Sequence, residues 1–185
     1  MTSSPDRRDA DLLVDLINTY YLGDHSDVLD GPGASAWLRG HLGWRRRVPA
    51  TSALAALREV REGLRQLAVA NNGGTVVRAI LGRADAVLER APLVVCLDGS
   101  GAGAVVDSAA SGEPVQQLVA RVARAYLTSR IDGTWRRVKA CAQPECRWAF
   151  LDLSRNGSRR WCAMSECGNR AKNRAWRSRH TNQRA

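Results

Sequence analysis

The chain has 185 residues, 44% hydrophobic and 25% charged, which suits one domain or two small ones of an ordinary globular protein. No apolar run reaches the roughly 18 residues needed to span a bilayer, and the start "MTSSPDRRDADLL" lacks the layout of a signal peptide, so a cytoplasmic protein is expected. The net charge is +10, yet residues 1–135 hold 15 basic and 15 acidic side chains, while residues 136–185 hold 13 basic and 3 acidic. A basic module joined to a neutral one points to a polyanionic partner.

The neutral part reads as mostly helical. "DADLLVDLINTYYL" spaces Leu12, Leu13, Leu16, Ile17 and Tyr20 as one helical face. "GDHSDVLDGPG" is a loop of breakers and carboxylates, and "ASAWLRGHLGW" a short helix. "PATSALAALREVREGLRQLAVA" carries an apolar stripe of Leu54, Leu57, Leu64 and Leu67, with Arg and Glu opposite, and "NNGG" ends it. A further helix is expected over "TVVRAILGRADAVLER". The β-rich runs "PLVVCLD" and "AVVDSA" flank "GSGAG" and predict a hairpin. "GSGAGA" also fits a dinucleotide fingerprint in form, but no helix follows to hold a pyrophosphate, so a turn is the better reading. Cys96, alone in this apolar run, reads as a small buried hydrophobe. "EPVQQLVARVARAYLTS" returns to helix, burying Leu118, Val122, Ala125 and Tyr126, and "RIDGTWRRV" links it to the last quarter.

That quarter holds two matched pairs, Cys141-x4-Cys146 and Cys162-x4-Cys167, separated by 15 residues. Disulfides need an oxidising compartment that nothing here indicates, whereas four thiolates brought together by tight turns favour a closed, structural Zn2+ site. A redox role for the thiols is the competing reading. "RWAFLDL" alternates Trp148, Phe150 and Asp152 against Ala149, Leu151 and Leu153 as a strand would. Asn156-Gly157 in "SRNGS" is a hairpin signal that would return "RRW" to Cys162. A helix follows Cys167. Knuckle, hairpin and helix in this order are the layout of a treble-clef zinc module. His25, His41 and His180 are scattered and read as surface or core histidines.

On a helix begun at Gly168, the small residues Gly168, Ala171 and Ala175 share one face and would seat it on the hairpin. Arg170, Arg174 and Arg177 share the opposite face, with Asn173 at its edge; Lys172 flanks the packed side, and Arg155, Arg159 and Arg160 surround the turn. Such arginines can pair with phosphates or guanine edges, and Asn can read adenine. The competing reading is a solvated charged face. An RNA-binding module is an alternative, with Trp148, Phe150, Trp161 and Trp176 as stacking surfaces. An enzyme using Asp24, Asp27 and Asp30 is another, but no nucleophile–base pair accompanies them.

The segment "CAQPECRWAFLDLSRNGSRRWCAMSECGNRAKNRAWRSR" closely resembles the CGNR zinc finger, whose namesake residues are here Cys167, Gly168, Asn169 and Arg170. The part before it is similar to the ABATE domain that usually precedes this finger, notably in "LVDLINT" and "AWLRGHLG". The resemblance implies a bacterial transcription regulator holding one structural Zn2+ on Cys141, Cys146, Cys162 and Cys167 and binding duplex DNA through the finger. The expected architecture is α+β. A mostly helical N-terminal domain with a β-hairpin, residues 1–134, would sense an unidentified effector or form a homodimer. A treble-clef-like finger, residues 135–185, would contact DNA through Arg155, Arg159, Arg160, Asn169, Arg170, Lys172, Asn173, Arg174 and Arg177.

Overall fold

A computed structural model describes residues 5–45, 51–97, 104–108 and 114–181. Helix α1 (Pro5–Ile17) buries Leu13, Leu16 and Ile17 completely. It packs against α3 (Thr51–Asn71) and α5 (Pro114–Ile131), which bring Leu57, Val60 and Leu64 and Leu118, Val119 and Val122 to the same core. Full burial of one such side chain contributes about 1.5–3 kcal/mol, so this three-helix contact is a major source of apolar stabilisation. Helix α2 (Gly33–Leu42) adds Trp37, Leu38 and Leu42. Helix α4 (Arg78–Leu88) lies so close to α3 that a Cβ on Gly63 would stand 2.4 Å from the Ala84 Cβ.

Two short ladders decorate the helices. β1 (Tyr20–Tyr21) pairs with β2 (Ser26–Asp27), and β3 (Leu93–Leu97) pairs antiparallel with β4 (Ala104–Ser108), with Val95 opposite Val106. The second is the expected hairpin. Its glycine loop and the Cys96 side chain lie outside the described residues.

The polar face expected on α3 is not solvent-facing. Arg61 and Arg65 are buried because the β1–β2 loop folds over them. Arg61 Nη1 donates to Asp27 Oδ2 at 2.8 Å and to Thr19 Oγ1 at 3.1 Å. Arg65 Nη2 donates to the carbonyls of Ile17 at 2.7 Å and Tyr20 at 3.1 Å. The acidic loop is therefore tied up internally. Asp27 pairs with Arg61, Asp30 pairs with Arg58, and Asp24 accepts from the Ser26 N–H.

The segment expected to be a link is part of the core. Trp135 is 2% exposed and meets Tyr126 edge-on, with ring centroids 4.8 Å apart. β5 (Val138–Ala140) then pairs antiparallel with β6 (Ala149–Leu151), placing Lys139 opposite Phe150. Val138, Ala140 and Ala149 join the same apolar cluster as Leu13 and Leu57. The strand inside 147–153 thus finds its partner upstream, not in the return after Asn156-Gly157. A side-chain pin replaces the ladder there. Buried Asp152 accepts from Lys139 Nζ at 2.7 Å, from the Arg159 N–H at 2.9 Å and from the Ser154 N–H at 3.0 Å.

Four polar side chains of the helical part grip the main chain of the last quarter. Asn18 exchanges hydrogen bonds with both backbone groups of Ala149, at 3.0 and 2.7 Å. Asn71 Nδ2 donates to the carbonyls of Trp135 and Val138, at 2.8 and 2.9 Å. Asn72 Nδ2 donates to those of Ala140 and Arg160, both at 2.8 Å. Arg65 Nη1 reaches the Arg147 carbonyl at 3.1 Å.

Candidate metal centre and basic surface

The Sγ atoms of Cys141, Cys146, Cys162 and Cys167 all lie within 4.8 Å of one another. Cys162 Sγ is 3.6 Å from Cys146 Sγ and 3.7 Å from Cys167 Sγ. Tetrahedral zinc with Zn–S bonds of about 2.3 Å requires sulfurs about 3.8 Å apart, so the donor set fits this ion. Tight turns set each pair. The Cys146 N–H bonds the Gln143 carbonyl at 3.0 Å, and Arg147, with φ of 48°, turns the chain out of the knuckle. The second pair spans a widened helical turn, Met164–Gly168, that leads into α6 (Asn169–Thr181). Glycine at 168 lets these side chains lie close, since a Cβ there would stand 2.3 Å from the Met164 sulfur and 2.7 Å from the Trp161 ring and would push both aside.

Four thiols crowded together do not ionise independently. A hydrogen bond from Cys146 holds the Cys141 thiol down at about 5. The bond to Cys141, together with burial, pushes Cys146 up, and burial pushes Cys162 up to about 11. A dication resolves this repulsion by favouring the thiolate at every position. Among the described residues no other group of three or more metal-ligating side chains converges. The histidines are engaged elsewhere. His25 bonds the Tyr20 hydroxyl at 2.8 Å, and His41 and His180 stack on Trp37 and Trp176.

Comparison with known families matches residues 137–180 to the CGNR zinc finger and residues 10–130 to ABATE, described as "Putative stress-induced transcription regulator". The chain belongs to the ABATE family. It carries a CGNR zinc finger at residues 137–180, and the four cysteines of that finger hold one structural Zn2+. Comparison with curated proteins gives no match.

Each namesake residue of the CGNR finger has a structural duty. Cys167 is a ligand, and Gly168 permits close packing against Met164 and Trp161. Asn169 Nδ2 ties the helix start to the Ser165 carbonyl at 3.0 Å, and Arg170 Nη2 donates to the Cys167 sulfur at 3.3 Å. Arg174 faces Glu145 of the first knuckle at 3.8 Å. Arg159 lies over the Phe150 ring at 4.7 Å and donates through Nε to the Trp161 carbonyl at 2.9 Å. Arg155, Asn173 and Arg177 are exposed. Arg160 and Lys172 face a groove between the hairpin return and α6. That groove departs from expectation. Gly168 is buried, but Ala171 is half-buried and Ala175 exposed, so the small-residue face seats only the first turn of α6. Beyond that point Met164 and Trp161 line the groove together with Ala171 and Ala175.

The gripping asparagines escape sequence reasoning. "NNGG" reads as a helix end, which it is, but that duty hides the reach of Asn71 and Asn72 into the finger. Two adjacent amides at one helix terminus were the available signal.

Proposed function

We propose that this ABATE–CGNR protein is a DNA-binding transcription regulator of the bacterial cytoplasm. The zinc finger at its C-terminal end contacts duplex DNA, and the N-terminal domain answers to an effector or forms a homodimer. One observation carries the reading. The entire +10 excess lies in the last 50 residues, on a metal-braced module whose final helix is exposed along nearly its whole length. A polyanion is the natural complement of such a surface. Reduced zinc thiolates suit the cytoplasm, and no helix among the described residues is long and apolar enough to cross a membrane.

The alternative of single-stranded RNA needs open aromatic faces. Phe150 is buried beneath Arg159, Trp161 is half-buried beneath Arg160, and Trp148 meets Tyr21 edge-on. Trp176, 55% exposed, stacks on His180. The duplex is favoured for this reason. Competition between labelled duplex DNA and single-stranded RNA for the zinc-loaded protein tests the choice. Duplex should win, with an affinity that falls steeply with salt; preference for the RNA, or no duplex binding at low salt, would refute the proposal.

A further inference from the structure

Helix α6 and the return of the hairpin enclose a groove of about 540 Å3. Trp161, Met164, Ala171 and Ala175 give it an apolar floor. Arg160 belongs to one wall and Lys172 to the other. We infer that this groove, and not the outward arginine face of α6, holds one sugar–phosphate strand of the duplex, with Arg160 and Lys172 on phosphates at either rim. The inference rests on the DNA-binding reading above.

Three observations carry it. The first is how the cations are used. Arg170 is turned onto the Cys167 sulfur, Arg174 onto Glu145, and Arg159 onto the Trp161 carbonyl. Among the described residues neither Arg160 nor Lys172 meets a carboxylate, and a guanidinium over a ring, as Arg160 is over Trp161 at 5.2 Å, keeps its N–H edge available for a phosphate. The second is chemical pattern. A nucleic-acid strand alternates apolar sugar with anionic phosphate, and the groove sets an apolar floor between cationic rims. The third is rigidity. Asn72 holds the Arg160 carbonyl at 2.8 Å, and on the opposite wall the buried Gly168 N–H is held by the Ala163 carbonyl at 3.2 Å, so the backbone of both walls is already placed before binding.

Full-length zinc-loaded protein titrated with a labelled mixed-sequence duplex over a range of KCl tests this. Arg160→Ala with Lys172→Ala should lower the slope of log affinity against log salt by about two units, while Arg174→Ala with Arg177→Ala leaves it nearly unchanged. Ala175→Leu, at an exposed position, should fill the groove and weaken binding without changing the slope. One zinc per chain in each variant shows that the finger remains folded. A wild type that binds no duplex removes the DNA-binding reading itself. A wild type that binds while the groove pair changes nothing, or while the outward pair takes the whole effect, overturns the groove and leaves that reading standing.

Discussion

Asp152 shows how one buried charge organises the hairpin. Burial pushes its carboxyl up, but hydrogen bonds from Lys139 and Ser154 outweigh that and hold it at about 2, so it is ionised at neutral pH. Lys139 is almost as deeply buried, and removing its partner leaves a desolvated ammonium. Asp152→Asn should therefore cost about 3–5 kcal/mol, read as a lower urea midpoint at unchanged slope. An unmoved midpoint would deny the pair this role. The alternation in "RWAFLDL" placed Asp152 beside Trp148 and Phe150 on one strand face, but period alone did not show that both faces are covered. Ala149 sits on the helical core, Phe150 beneath Arg159. The cysteines were easier to read, because their spacing and the need for tight turns constrain one another without reference to distant residues.

Helices whose burial follows one apolar face were legible in sequence. Leu13, Leu16 and Ile17 of α1 and Leu118, Val122 and Ala125 of α5 are buried as their period predicts, while Leu12 and Tyr126 are half-buried and Tyr20 lies past the end of α1, in β1. α3 was half legible. Its leucine stripe is in the core, but Arg61 and Arg65 look solvent-facing until the β1–β2 loop supplies Asp27 and backbone carbonyls from far along the chain. Gly63 belongs to the same helix. An alanine there gains about 1 kcal/mol in helix propensity, but its Cβ meets the Ala84 Cβ at 2.4 Å, and overpacking of that kind costs about 1–3 kcal/mol. Since the obstruction is a Cβ fixed to the α4 backbone, crowding should win. Gly63→Ala should lower the melting temperature, and a higher one would show that α4 slides freely on α3.

At the scale of the whole molecule, the zinc module and the helical part share a core through Val138, Ala140 and Ala149. Metal binding free energy is therefore available to both. Heat or urea should unfold the protein in one transition, followed alike by helix content and by zinc release. Cys162→Ser should abolish zinc binding and shift unfolding of the entire chain. Two well-separated transitions, or a variant whose helical part melts at the wild-type temperature, would contradict this coupling.

The grip of Asn18, Asn71, Asn72 and Arg65 falls on peptide groups, not on side chains, of the finger. Such a contact is blind to residue identity wherever the contacted position is otherwise exposed or only half-buried. Arg160 can vary without loosening the joint, and so can Arg147 within the limits its backbone sets, whereas an exchange at Asn72 strips two carbonyls at once. A saturation library would then find a rigid hinge plate beneath a freely rewritable outer face. Descendants of one such chain could change the charge and shape of that outer face while the joint holding it stays the same.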